Sequence, residues 1–177
     1  ALEALCQRYP GLVNVMLVPA ASAVYPENVP AGAPLLDEDR YLDALSDAVQ
    51  AAGGRFVDVR QTLADHKGEY IYYRTDHHYT TDGAYSAYCA LGKILGYTPY
   101  PEDFFDRQTV SSDFEGTSMR TSGFYLTEKD EIVLYRYDGD DTYEVNADGE
   151  KISLYDFDKL NTTDKYAVFL GGNHARV

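Results

Sequence analysis

Tyr70-Ile71-Tyr72-Tyr73-Arg74-Thr75-Asp76-His77-His78-Tyr79-Thr80-Thr81-Asp82-Gly83-Ala84-Tyr85 is the stretch on which the reading of this chain turns. Its first four residues are aromatic or β-branched and favour a strand, whereas Thr80 or Thr81 followed by Asp82 is a helix-start pattern. The pattern predicts a strand at residues 70–73, a helix from Thr81, and Asp76, His77 and His78 between the two. In open α/β sheets the crevice beyond a strand's carboxyl end is where ligands bind.

Downstream of the stretch, Ala84, Tyr88, Leu91 and Leu95 recur at steps of four, three and four, which predicts one apolar helix face, ended by Gly96. Upstream, residues 12–18 form a nearly continuous apolar run of the kind buried on both faces of a parallel sheet, and residues 55–59 read as a second strand. Between them Asp37 opens a helix with Tyr41, Leu42, Leu45, Ala48 and Val49 on one face, ended by Gly53-Gly54. Residues 61–66 carry Leu63 inward, and residues 1–9 read as the end of a helix broken by Pro10-Gly11. This alternation predicts an α/β fold with a parallel sheet flanked by helices.

After Pro99 the pattern changes. Residues 101–123 are polar and turn-rich with Phe104, Phe105 and Phe114 as isolated anchors; residues 132–137 read as a strand and 138–141 as a solvated turn. Residues 143–145 and 152–155 predict a hairpin around Asp148-Gly149. Residues 166–170 predict a buried strand that ends in Gly171-Gly172-Asn173-His174. The expectation is a single domain over residues 1–177, incomplete at both ends, with about residues 100–165 as a small antiparallel insertion.

A length of 177 residues, 45% of them hydrophobic, suffices for one core. Fifteen basic against 29 acidic residues give a net charge of -14, spread along the chain, which excludes a nucleic-acid binder because phosphate contacts need clustered Lys and Arg. Seventeen Tyr and no Trp suit polar, sugar-like ligands as well as a packed core, since Tyr joins a ring to a hydroxyl. Cys6 and Cys89 lack metal or disulfide spacing and read as free thiols. No run is long and apolar enough for a membrane span, and no signal-peptide pattern is present. The abrupt Ala-Leu-Glu-Ala-Leu start and Ala-Arg-Val end predict a piece of a longer polypeptide, and the oligomeric state is left open.

Ser22, the Asp76-His77-His78 group and Asn173-His174 each follow the carboxyl end of a predicted strand. In an extended stretch Asp76 and His78 project to one side and His77 to the other. A carboxylate beside an imidazole orients it and stabilises its protonated form, as a general base for a hydroxyl nucleophile requires. The ordinary alternative is two loop histidines with Asp76 as a turn residue. A metal site from His66, Asp76, His77 and His78, as in a metal-dependent phosphoesterase, competes but lacks His-Glu-x-x-His or Cys-x-x-Cys spacing, so no metal and no cofactor is expected. Gly171-Gly172-Asn173 offers amide donors of the kind that line an oxyanion hole.

Tyr-Tyr-Arg-Thr-Asp-His-His-Tyr-Thr with Gly83-Ala84-Tyr85 resembles the signature of the DHHW-motif family, related to SGNH-hydrolase-like domains that include alginate O-acetyltransferases. Leu17-Val18-Pro19, Tyr25-Pro26 and Pro30, the strand Phe56-Val57-Asp58-Val59, and Phe169-Leu170-Gly171-Gly172-Asn173-His174 are similar to that family in matching order. The resemblance implies an SGNH-hydrolase-like, flavodoxin-like parallel sheet and a serine esterase or carbohydrate O-acetyltransferase of the bacterial cell envelope. It implies Asp76 as orienter and His78 as base; Arg74, Tyr79, Asn173 and His174 are the candidate substrate-binding residues. The family's Trp is Tyr79 here, and its nucleophile, an Asp-Ser pair after a further strand, has no match in this sequence; neither Ser22, Ser118 nor Ser122 sits in such a motif. A carbohydrate or acyl-ester substrate and an extracytoplasmic location are thereby implied. The alternative is a pseudoenzyme or glycan-binding module that keeps the fold.

Overall fold

In the computed structural model, which describes residues 1–177, the chain sorts into two units, Ala1–Ile71 with Asp82–Pro99, and Tyr72–Thr81 with Tyr100–Val177. The first holds helix α1 (Leu2–Arg8), strand β1 (Asn14–Met16) and helices α2 (Ala21–Val24) and α3 (Glu38–Ala51). Strand β2 (Arg55–Val57), helix α4 (Arg60–Asp65) and helix α5 (Thr81–Leu95), which belongs to this unit from Asp82, follow. Strands β1 and β2 pair in parallel, Asn14 with Arg55, Val15 with Phe56 and Met16 with Val57, and α3 is the crossover that a parallel pair requires. Asp37 caps α3 by accepting from the Arg40 N–H at 3.1 Å. Leu42 and Val49, two turns apart, are its buried residues, and Val49 packs with Cys6 and Ala52 under Leu2, Val15, Leu45 and Phe56.

The second unit contains strand β3 (Asp106–Phe114), helix α6 (Thr117–Ser122), strand β4 (Asp130–Arg136), and strands β5 (Val145–Ala147) and β6 (Glu150–Ile152). Strands β3 and β4 form an antiparallel pair from Asp106 opposite Arg136 to Phe114 opposite Asp130, with irregular register around Ser111. Along β4 the alternate residues Asp130, Ile132 and Leu134 are fully buried, with Phe114 of β3 opposite Asp130 and also buried. Strands β5 and β6 form the hairpin expected around Asp148-Gly149, whose φ values of 54° and 92° are those of a two-residue type I′ turn. No helix is long and apolar enough to cross a membrane.

Several expectations are corrected. Residues 70–73 are not a strand: Tyr72 makes a single antiparallel bridge to Tyr79 and the Tyr73 N–H donates to the His78 carbonyl, so the chain doubles back on itself. The strand-like composition there serves burial, with Ile71, Tyr72 and Tyr73 at most 6% exposed. Residues 166–170 are not a strand either; Lys165–Val168 is a 3-10 turn, and Phe169 bridges Tyr155. The polar stretch 101–123 contains β3, the longest strand, polar because most of it is solvent-exposed. Helix α5 turns small residues inward, Gly83, Ser86, Ala87 and Ala90, and leaves Leu95 43% exposed, because small side chains allow the closest approach. Strand β1 is shorter than residues 12–18, with Leu12 and Leu17 exposed, and its observed partner is β2. The parallel pairing is therefore two strands wide rather than a flavodoxin-like sheet. The 138–141 turn is not wholly solvated: Asp140 is 2% exposed and accepts from Arg136.

Candidate active site

The loop 73–79 carries the candidate site, and four hydrogen bonds from backbone N–H groups, with one from the Thr75 hydroxyl, hold it. Asp130 heads β4 with its carboxylate fully buried; it accepts from the N–H groups of Arg74 and Thr75, each at 2.8 Å, and from the Thr75 hydroxyl. Thr75 in turn accepts from the Gly116 N–H at 2.8 Å on its hydroxyl and from the Met119 N–H at 3.0 Å on its carbonyl. The start of α6 is thus stitched to the residue just before Asp76. A Cβ on Gly116 would lie 2.5 Å from the Thr75 carbonyl oxygen and 2.6 Å from Asp76 Oδ2, so no larger residue fits there.

Asp76 has a side chain only 3% exposed, and both its oxygens are engaged. Oδ2 accepts from the Thr117 N–H at 2.6 Å; Oδ1 lies 2.5 Å from His78 Nδ1 and accepts from the His78 backbone N–H at 3.1 Å. Burial pushes the Asp76 carboxyl up, but the Thr117 N–H and the ring and backbone N–H of His78 outweigh it, and the net shift is below the ordinary value. A carboxylate that stays ionised fixes the His78 tautomer with its proton on Nδ1, which leaves Nε2 as the ring's base. The Tyr166 ring stacks on His78 at 4.4 Å between centroids and 12° between planes, and packs edge-on to Tyr73, itself edge-on to Phe114. Burial raises the Tyr166 hydroxyl to about 12, with smaller contributions from Tyr79 and Asp76, so it is neutral at ordinary pH.

His77 does not point away as an ideal strand would have it. Its ring packs on His78 at 4.0 Å, and its Nδ1 lies 3.4 Å from Asp76 Oδ1, while its side chain remains 62% exposed. Asp76, His77 and His78 present donor atoms within 4.8 Å of one another, the spacing of a metal cluster. The donor set fits a dyad better: both Asp76 oxygens and His78 Nδ1 already serve each other and the Thr117 amide.

Of the remaining candidates, Arg74 keeps a half-exposed side chain whose guanidinium lies 3.9 Å from Asp130. Tyr79 is edge-on to Tyr72 at 6.4 Å, and burial raises its hydroxyl above the ordinary value. His174 is held by the β5–β6 turn, with Nδ1 3.3 Å from Asp148 and Nε2 2.7 Å from the Leu170 carbonyl, while Asn173 is exposed. The structure therefore joins Asp76 with His78, and ties His174 to Asp148 rather than to that pair. Ser22 lies in α2 of the first unit. Thr75, Gly116, Thr117, Asp130 and Tyr166 were not singled out from sequence. Thr75 stood inside the quoted motif without a role, and Asp130 left a trace as an acid in register with the apolar alternation Ile132 and Leu134.

The structure is similar to that of a DHHW family protein from Eubacterium siraeum, with a TM-score of 0.68 at 21% identity over 93% of this chain and 56% of that one. It is also similar to the O-acetyltransferase domain of Pseudomonas putida AlgJ, with a TM-score of 0.57 at 20% identity over 75% of this chain and 51% of that one. Bacillus cereus PatB1, solved with a sulfonyl adduct, gives 0.64 at 11% identity over 98% of this chain and 61% of that one. At these identities the likeness is one of fold, and the chain spans between 51% and 61% of these relatives. No curated protein matches the sequence. The family model described as SGNH hydrolase-like domain, acetyltransferase AlgX, matches residues 4–153, a span that includes Asp76, His78, Gly116 and Asp130. The chain therefore belongs to the SGNH hydrolase-like, AlgX-type acetyltransferase family.

Proposed function

We propose that this chain is the Asp-His-bearing part of an SGNH-like serine esterase or carbohydrate O-acetyltransferase of the bacterial cell envelope, with residues 1–177 forming one domain and a wider parallel sheet completed by the parent protein. The observation that carries this reading is the 2.5 Å contact between Asp76 Oδ1 and His78 Nδ1, with the other Asp76 oxygen held by the Thr117 amide. In the proposed reaction Asp76 orients His78 and stabilises its imidazolium. His78 Nε2 takes the proton of a serine hydroxyl supplied from outside residues 1–177. The serine oxygen bonds to the acyl carbon, and the leaving alkoxide receives the proton back from His78. Arg74 and Tyr79, with Asn173 and His174, are proposed to contact the substrate. An extracytoplasmic location rests on family membership.

The test is reaction of the parent protein with a fluorophosphonate, followed by peptide mapping. The expected result is one labelled serine outside residues 1–177, with labelling slowed by about 10³-fold or more in His78→Ala, the scale on which loss of a triad member acts. A label on Ser22, Ser118 or Ser122, or labelling indifferent to His78→Ala, would contradict the assignment.

A further inference from the structure

The β3–β4 hairpin carries a second feature that the acyl-ester reading does not use. At its base the Tyr100 ring stacks on Phe104 at 4.2 Å and 15°, Phe104 packs on Tyr137 at 5.6 Å, and Tyr137 is edge-on to Tyr143 at 6.3 Å. These rings are not core: Tyr100, Phe104 and Tyr143 are 56%, 43% and 57% exposed. Phe104 and Tyr137 line a cavity of about 450 Å³ together with Asp106, Gln108, Arg136 and Asp138. Arg136 is the fixed point. Its guanidinium donates to the buried Asp140, at 2.7 Å for Nη2, and lies 5.1 Å over the ring of Tyr155. Tyr155 lines an adjacent cavity of about 520 Å³ with Phe157, which is 46% exposed, and with Ser153, Asp156 and Asp158. The Arg136–Tyr155 contact thus links a residue lining the first cavity to one lining the second.

We propose that this row of rings, from Tyr100 and Phe104 through Tyr137 to Tyr155 and Phe157, is a binding site for an uncharged pyranose polymer. A pyranose presents C–H bonds on its face and hydroxyls on its edge, and it fits electron-rich ring faces interleaved with carboxylate and amide groups. The rings brace one another, so they are ordered before a ligand arrives and little entropy is lost on binding. Charge narrows the ligand. Arg136 is neutralised by Asp140, leaving Asp106 and Asp138 in the first cavity and Asp156 and Asp158 against Lys151 in the second, on a chain of net charge -14. A polyuronate or a phosphate-bearing polymer is repelled by such a surface, whereas neutral hydroxyls find acceptors. The inference goes beyond the acyl-ester reading and stands without it, because none of these residues belongs to the Asp76–His78 pair.

Saturation-transfer NMR and calorimetry with cellohexaose, the hexamer of N-acetylglucosamine and hexagalacturonate test the site on the protein itself. At least one neutral hexamer is expected to bind, with affinity reduced tenfold or more by Phe104→Ala and by Tyr143→Ala and retained in Phe104→Tyr. Hexagalacturonate is expected not to bind. The proposal is overturned by absence of binding to both neutral hexamers, by equal binding of hexagalacturonate, or by binding that survives Phe104→Ala and Tyr143→Ala. The last outcome would leave the acyl-ester reading intact, and loss of fluorophosphonate labelling would leave the glycan site intact.

Discussion

Gly116 lies against Asp76 so closely that a methyl group on it would stand 2.6 Å from the carboxylate oxygen that receives the Thr117 amide. The backbone at Gly116, φ -75° and ψ 177°, is open to any residue, so glycine is needed for space alone. Gly116→Ala is therefore expected to push α6 off the loop and break the bond from the Thr117 N–H. Overpacking of this kind costs about 1–3 kcal/mol, and urea unfolding measures it. Stability equal to the parent's, with the Thr117 amide still protected from exchange, would show that the contact is looser than described.

Asp130 is the concealed support of the site. Replacing it with Ala strips the acceptor from the Arg74 and Thr75 amides in a fully buried position. Each buried donor left unsatisfied costs about 1–3 kcal/mol, so a loss of at least about 2 kcal/mol is expected. Asp130→Asn, which returns one carbonyl oxygen, is expected to recover part of it. Chemical denaturation of the two variants side by side provides the comparison, and Ala and Asn variants of equal stability would count against this role.

Tyr166 is expected to act through its ring. Its hydroxyl, raised to about 12, does not ionise in any ordinary assay, so Tyr166→Phe should leave the environment of His78 unchanged. Tyr166→Ala removes the face on which His78 stacks at 4.4 Å, a contact type worth about 0.5–1.5 kcal/mol beyond burial. Ring-proton chemical shifts of His78 report the difference directly, and a large shift in the Phe variant would point to the hydroxyl instead.

The contrast between Asp76–His78 and its supports explains what the sequence could disclose. Asp76 and His78 are two residues apart, so their pairing was legible from local spacing. Thr117 and Asp130 reach the same loop across 41 and 55 positions, and nothing in local pattern encodes such contacts. Helix α3 followed its cap and periodicity, and the β5–β6 hairpin followed Asp148-Gly149. Strand β3 was hidden because solvent exposure made it polar. In α5 the packed stripe Gly83, Ala87 and Ala90 carries less hydrophobicity than the larger residues beside it, so periodicity selected the neighbouring, half-buried stripe Ala84, Tyr88 and Leu91. The runs at residues 70–73 and 166–170 show the converse: buried aromatic and branched residues without ladder partners.

Stability should also depend on pH through Asp76. Its folded-state value lies below its ordinary value of 3.8, so its contribution is fully present above that value and is lost as pH falls through the folded value. Asp58, Asp113 and Asp140 are shifted the same way by their cationic partners and add to the acid-side loss. Thermal melts between pH 7 and about 2.5 are therefore expected to fall more steeply below the ordinary carboxylate range in the parent than in Asp76→Asn. Parallel curves for the two would mean that Asp76 is not held ionised by its neighbours.

The proposed reaction requires Asp76 to set His78 as a base with a bare Nε2. Long-range proton–nitrogen NMR of the neutral imidazole measures this directly. The expected spectrum is that of a His78 ring protonated on Nδ1 and unprotonated on Nε2, with that tautomer losing its dominance in Asp76→Ala. A neutral His78 carrying its proton on Nε2 in the parent protein would contradict it.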